Sequence, residues 1–308
     1  MPSPASDVRI RQASESQFTA ALTLVFSRLP TAYAAGQVEA LLADVRAGKG
    51  SMAGLQIAER LGRLRGAIFS QVQPGKAALV WPPRVVPEEP ATTLGQLLTA
   101  TTEMLEQSGV RIAECLVPDD SHDDQPVLET GGYKHLANLL YLVSMENDFP
   151  TSAPQNSLTF EPYSPSNHLR LTQIVEQTYE QTHDCPQLNG VRAVEDTLTG
   201  YRAAGVFEAQ RWLLICHDGR DVGCLLLADY PEQENWELLY VGLIPSARGR
   251  GWGKEITQHA QWLARQAGRP RLVLAVDAAN APALQMYAAV GFRAWERRRV
   301  FVRILGSR

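Results

Sequence analysis

The sequence predicts a mixed α/β chain built from two related halves, and three observations predict it. Strand-like segments and helical ones are interleaved along the whole chain. The order of elements starts again after a proline-bearing stretch at 147–157. The halves also end alike: Gly132 to Val143 parallels Gly291 to Val302, with the two glycines 159 positions apart and the opening strands, at Val8 and Leu158, 150 apart. A duplicated fold of about 150 residues accounts for all three. The expected division is a first domain over 1–146, a linker over 147–157 and a second domain over 158–308.

In the first half a short strand spans Val8 to Arg11. Ser14 and Gln17 then have capping-box spacing ahead of an apolar helix that runs to about Arg28. A second helix covers Thr31 to Ala47 and is stopped by Gly48 and Gly50. Strands at 51–59 and 63–73 flank Gly62 as a hairpin, and Lys76 to Trp81 is a third strand that Pro82-Pro83 is expected to break. A helix at 92–108, a strand at 111–117, a short helix near 124–130 and a strand at 134–145 complete this half.

The second half repeats the order. A strand at 158–162 is followed by helices at 167–182 and 195–204. Strands at 210–217, 221–229 and 235–243 come next, the first two joined at Asp218-Gly219. A helix at 252–267 carries Trp252, Ile256, Ala260, Leu263 and Ala267 as a stripe. The strand Arg271 to Asp277, a helix at 281–290 and the strand Arg293 to Leu305 close the chain.

Composition bounds the function. Of the 308 residues 45% are hydrophobic and 20% charged, which is globular, and no apolar run reaches the ~18 residues that cross a bilayer. No membrane partner is expected. Met1 to Asp7 has neither a basic start nor an apolar core, so it does not read as a signal peptide and a cytoplasmic protein is expected. Cys115, Cys185, Cys216 and Cys224 have no C-x-x-C spacing and the histidines no ligand spacing, so no metal and no disulfide framework is indicated.

The net charge of −4 conceals an asymmetry. Arg248 to Arg308 holds 12 basic and three acidic residues, +9, against −13 for the chain before it. A basic end on an acidic body suits a small polyanionic ligand held at one place, and disfavours nucleic acid. A monomer or homodimer is expected.

The run Arg248-Gly249-Arg250-Gly251-Trp252-Gly253 stands between a strand and a helix. Unpaired N–H groups at a helix N-terminus, the helix dipole and close-approaching glycines together make an anion site. The counterpart in the first half, Pro87 to Thr93, has two carboxylates and no glycine and is expected to repel phosphate. A P-loop does not fit, because Gly253-Lys254 is followed by Glu255, which has no hydroxyl for magnesium; the glycine spacing does not fit a dinucleotide fingerprint either.

Pro245-x-x-Arg248-x-x-Gly251-x-Gly253, then Asn280 with Tyr287 seven residues on, then Gly291-Phe292, resembles the signature of the GNAT superfamily of N-acetyltransferases over roughly 158–305. With a degenerate first copy, the whole chain resembles tandem-GNAT proteins, an arrangement similar to that of mycothiol synthase. The resemblance implies two tandem folds, each a mixed, mostly antiparallel sheet flanked by helices. It implies acetyl-CoA as co-substrate and direct transfer of the acetyl group to a primary amine.

It also implies roles. The coenzyme A pyrophosphate would sit on the backbone of Arg248, Gly249, Arg250, Gly251, Trp252 and Gly253. Its pantetheine arm would lie along the main chain of Val241 and Leu243, and the Val241 N–H would polarise the thioester carbonyl, which is worth ~3 kcal/mol. An alkyl amine with a pKa near ~10.4 is nucleophilic in only about one molecule in 10³ at neutral pH, so a base is needed. Glu237, four residues before Val241, is expected on the same strand face and resembles the family's base. Tyr287 would protonate the leaving thiolate.

Each assignment has a plainer alternative. Asn280 binds the cofactor or caps the helix from Ala281; Tyr287 is an acid or a core tyrosine; Glu237 is a base or an exposed strand residue. His183 and Asp184 contact an amine or belong to a turn set by Pro186. The chain as a whole is an acetyltransferase, a mycothiol-synthase-like small-molecule enzyme among the options, or a coenzyme-A-binding sensor or scaffold without chemistry. The acceptor, a small-molecule or peptide amine, is left open.

Overall fold

A computed structural model describes residues 8–154 and 157–306. Met1 to Asp7 and two residues of the expected linker lie outside the described residues. The first half contains β1 (Arg9–Gln12), α1 (Phe18–Val25), α2 (Thr31–Arg46), β2 (Leu55–Arg60), β3 (Arg63–Gln73), β4 (Ala77–Val85), α3 (Thr92–Gln107), β5 (Ile112–Pro118), α4 (Asp124–Thr130) and β6 (Lys134–Met145). The second contains β7 (Thr159–Pro162), α5 (His168–Tyr179), α6 (Val194–Ala203), β8 (Trp212–His217), β9 (Arg220–Tyr230), β10 (Asn235–Leu243), α7 (Trp252–Gln266), β11 (Arg271–Asp277), α8 (Ala281–Ala288) and β12 (Arg293–Ile304).

The chain folds as a mixed α/β protein in two compact units. Among the described residues one unit is 8–135 with 300–306, and the other is 136–154 with 157–299. In the second, β6 runs antiparallel to β11, and the order is β6-β11-β10-β9-β8-β7. In the first, β1 to β5 lie in sequence order and the end of β12 flanks β5, where the Leu305 N–H donates to the Arg111 carbonyl at 2.9 Å. The division therefore falls inside β6 and β12, not at the linker expected from composition. The start of that linker is anchored within the second unit: Phe149, an isolated apolar residue there, is buried, and Arg265 donates to the carbonyls of Glu146 and Phe149.

Each unit repeats one device. β4 pairs in parallel with β5 only over Ala77–Leu79, and β10 with β11 only over Asn235–Glu237. Beyond those residues each pair is unbonded, because the strand is bulged: Pro82-Pro83 form the irregularity in β4 and Leu239 the extra residue in β10. Pro82-Pro83 thus do not end the strand as expected; β4 continues to Val85.

The second unit packs both sheet faces. Trp236, Leu238, Val241 and Leu243 of β10 join the core under α7 and α8. Leu239 and Tyr240 join the core under α5 and α6. Burying a large aliphatic or aromatic side chain contributes roughly 1.5–3 kcal/mol, so these two faces fix the orientation of β10 and of the loop after it.

Candidate active site

The loop that follows β10 is shaped by two left-handed glycines, Gly249 (φ 77°) and Gly251 (φ 80°), the latter serving as N-cap of α7. A Cβ at either would meet nothing within 4 Å, so the space over this helix N-terminus is open to a ligand. Gly253 faces Met286 of α8 at ordinary contact distance. The Arg250 guanidinium lies 5.2 Å from the centre of the Trp252 ring, over which it packs.

Arg248 has a different task. Its Nε donates to the Leu243 carbonyl at 3.0 Å, and its two terminal nitrogens to the carbonyls of Gln181 and Thr178, both at 2.9 Å. The guanidinium thus closes the C-terminus of α5, where a cation is favoured, and ties it to the turn after β10. It contributes structure while the backbone beside it lines the cavity.

One cavity of about 660 Å³ joins this loop to the gap between β10 and β11. Its lining brings together Val241, Leu243, Arg248, Gly249, Gly251 and Gly253 with Asn280 and Tyr287. Arg250, Trp252 and Glu237 are not on its wall. The Asn280 side-chain oxygen accepts from the Ala283 N–H at 3.3 Å, so Asn280 caps α8 and borders the cavity at once. Tyr287 is 5% exposed, and its phenol is held well above the usual tyrosine range by burial first and by the nearby Asp184 carboxylate second. A proton therefore stays on its oxygen at neutral pH.

Glu237 departs from the expected geometry. The bulge at Leu239 interrupts the alternation, so Glu237 and Val241 lie on opposite faces of β10. The Glu237 carboxyl is hydrogen-bonded to Tyr230, and burial raises it above the usual carboxylate range despite that bond.

The acetyltransferase (GNAT) family matches residues 175–292. This segment is a GNAT acetyltransferase domain. The chain is 37% identical over 89 residues to a mycothiol acetyltransferase of Thermomonospora curvata, a match that takes in 29% of this chain and 28% of that protein. The chain thus spans less than a third of the relative's length. A GCN5-related N-acetyltransferase from Sphaerobacter thermophilus superimposes over 96% of this chain and 95% of its own, with TM-score 0.61 and 17% identity. A tandem GNAT protein from the clavulanic acid biosynthesis pathway does so over 98% and 100%, with TM-score 0.53 and 12% identity. These two share the fold.

In the GNAT domain several residues matter that the motif did not flag. Gly242 lies against α5 so closely that a Cβ would come within 2.7 Å of the Thr178 side chain. Thr178 in turn shares a hydrogen bond of 2.7 Å with the Tyr240 hydroxyl. A glycine inside an apolar strand was the available signal of such an approach. Asp184 lines the cavity, and its Oδ1 accepts from the Asp277 N–H at 3.2 Å.

The first unit's counterpart of the loop is closed by its own chain. The Glu89 carboxylate, beside the start of α3, accepts from Arg60 at 2.9 Å and from the Thr93 hydroxyl at 2.8 Å, with Arg65 at 3.8 Å. Glu89 was expected to repel a phosphate; instead it is neutralised and buried where the loop would need an opening. Among the described residues no helix is long and apolar enough to cross a membrane, and no group of three or more His, Cys, Asp or Glu could hold a metal ion.

Proposed function

We propose that the chain is an N-acetyltransferase that moves an acetyl group from acetyl-CoA directly to a primary amine, with its site in the GNAT domain and a first unit that binds no cofactor. The observation that carries this reading is the single cavity shared by the open glycine turn at the α7 N-terminus, the unpaired stretch of β10 and the phenol of Tyr287. Acetyl-CoA fits it as co-substrate because the left-handed Gly249 and Gly251 leave the helix N-terminus uncovered. It supplies the activated acetyl thioester.

The chain's own residues do the rest. The backbone of Arg248, Gly249, Gly251 and Gly253 and the α7 dipole hold a diphosphate, and the main chain of Val241 and Leu243 lies along the cavity wall, where the Val241 N–H is the donor for a developing oxyanion. Asn280 and Met286 border the same space. Tyr287, kept protonated by its surroundings, gives its proton to the departing thiolate, a contribution typically of about 10²–10⁴ in rate. The local similarity to a mycothiol acetyltransferase supports acetyl transfer and a small-molecule acceptor.

Thiol release from acetyl-CoA, followed across a panel of small amines, amino acids and peptides, tests the reading. Release that depends on an amine and is lost in Tyr287→Phe is expected. Tight binding of acetyl-CoA with no release from any amine would overturn it in favour of a binding protein.

A further inference from the structure

The loop from α5 to α6 carries one carboxylate into the wall of the cofactor cavity, that of Asp184. Its placement is over-determined. Left-handed backbone at Gln181 (φ 52°) and Cys185 (φ 43°) bounds the segment at either end. Arg248 grips the Gln181 carbonyl, the Thr182 hydroxyl accepts the Asp184 N–H at 3.0 Å, and the Asp277 N–H donates to Asp184 Oδ1. Non-glycine residues in this conformation cost about 1–3 kcal/mol each and persist only where surrounding contacts enforce them.

The carboxylate is thus held in place, yet it is unpaired. Among the described residues no lysine, arginine or histidine forms an ion pair with it; the groups that face it are Tyr287 of α8, Tyr201 of α6 and Asp277 of β11, with His183 beside it in the loop. Asp184 is exposed as a residue, yet the protein around its carboxyl raises it above the usual range, and the Asp277 charge adds to that. A fixed acidic group without a counterion, open to the cavity that holds the thioester, is complementary to a cation.

We propose that Asp184 is the acceptor-binding and proton-accepting residue, pairing with a substrate ammonium group and taking the proton that its nitrogen must lose before attack. The acceptor class is then a primary amine that is cationic in water. This deepens the acetyl-transfer reading and rests on it.

The step balances. One ammonium proton passes to Asp184, leaving a free amine. The nitrogen forms a bond to the thioester carbonyl carbon as the carbon–sulfur bond breaks, and Tyr287 protonates the departing sulfur. The nitrogen's second proton returns to the Tyr287 oxygen, and Asp184 releases its own to solvent. The products are an amide, a free thiol and one proton. Glu237, on the α5/α6 face of β10 and bonded to Tyr230, is not among the residues of the cavity wall.

The test compares full-length wild-type protein with Asp184→Asn and Asp184→Glu in thiol release at pH 7. The probes are ethylamine, ethanolamine and glucosamine, all cationic, and 2,2,2-trifluoroethylamine, whose fluorines leave it largely uncharged. Asp184→Asn is expected to lower kcat/KM for the cationic amines about 10²-fold, to affect trifluoroethylamine less than about tenfold, and to leave acetyl-CoA binding by calorimetry unchanged; Asp184→Glu should restore part of the loss. Equal losses for charged and uncharged amines, or no loss, overturn the assignment of Asp184 and leave the acetyl-transfer reading standing. Wild-type protein that acetylates no cationic amine overturns both. Should Asp184→Asn fail to fold, wild-type KM along a series of amines of falling basicity decides: it rises as the ammonium fraction falls if Asp184 binds the cation, and a flat series overturns the assignment.

Discussion

Glu237 and Val241 stand four residues apart on β10 and project from its opposite faces, because Leu239 is inserted between them without a partner on β9. The same insertion ends the parallel pairing with β11 after Glu237 and opens the cavity. One irregularity therefore creates the binding gap and puts Val241 on the face opposite Glu237, which is not among the residues lining the gap. Glu237→Gln should change turnover by well under tenfold, whereas Tyr287→Phe should lower kcat about 10²-fold or more with little change in acetyl-CoA affinity. Steady-state thiol release on the two variants checks this, and equal losses would sink it.

Arg248 links the two walls of that cavity through three carbonyls. Hydrogen bonds to a charged donor contribute roughly 1.5–3 kcal/mol each and do not simply add, so Arg248→Ala should destabilise by about 2–4 kcal/mol. For a unit of this size that lowers Tm by about 5–12 °C. Amide exchange over 178–184 should accelerate and acetyl-CoA affinity fall, as calorimetry and exchange mass spectrometry will show. Unchanged exchange in that loop would refute the clamp.

Much of this was legible in the sequence. The alternation of strands and helices, the glycine turn and the cap at Asn280 are set by neighbours a few residues away, and they lie where the sequence places them. What stayed hidden is set by partners distant in the chain. The two closing strands carry similar patterns, and nothing local says which unit each completes. The bulge depends on register against β9, although the consecutive apolar run Leu238 to Val241 already breaks a strict alternation. Arg248 carries a motif position, but only the fold shows that its side chain is spent on the carbonyls of Thr178, Gln181 and Leu243. Asp184 is readable from the sequence as an amine contact or as part of a turn, and only the fold supplies its neighbours Tyr287 and Asp277.

Gly242 offers a test of packing between α5 and β10. A methyl group there would come within 2.7–2.9 Å of three Thr178 side-chain atoms. Overpacking of this kind costs about 1–3 kcal/mol, and it would push α5 away from the cavity wall. Gly242→Ala should lower Tm by several degrees, while Gly95→Ala, where a methyl meets nothing within 4 Å on the helix α3, should hold or raise it. Differential scanning calorimetry distinguishes the two, and equal shifts would contradict the packing described.

Acid stability should report on the first unit through Glu89. The Arg60 hydrogen bond, more than any other contact, holds the Glu89 carboxyl below the ordinary value of 4.5, overcoming the effect of its burial. A carboxyl whose folded-state pKa is depressed binds its proton more readily when unfolded. Its stabilising contribution is therefore complete above about pH 4.5 and disappears as pH falls through the folded value. Glu89→Gln should be less stable than wild type at pH 7, because Arg60 and Arg65 lose their counterion, and the difference should shrink steadily below pH 4.5 as the wild-type carboxylate is neutralised. Urea unfolding of both proteins at pH 7, 5 and 3.5 measures it. A gap that stays constant or widens toward acid would mean that Glu89 is not the charge that closes the first unit's turn.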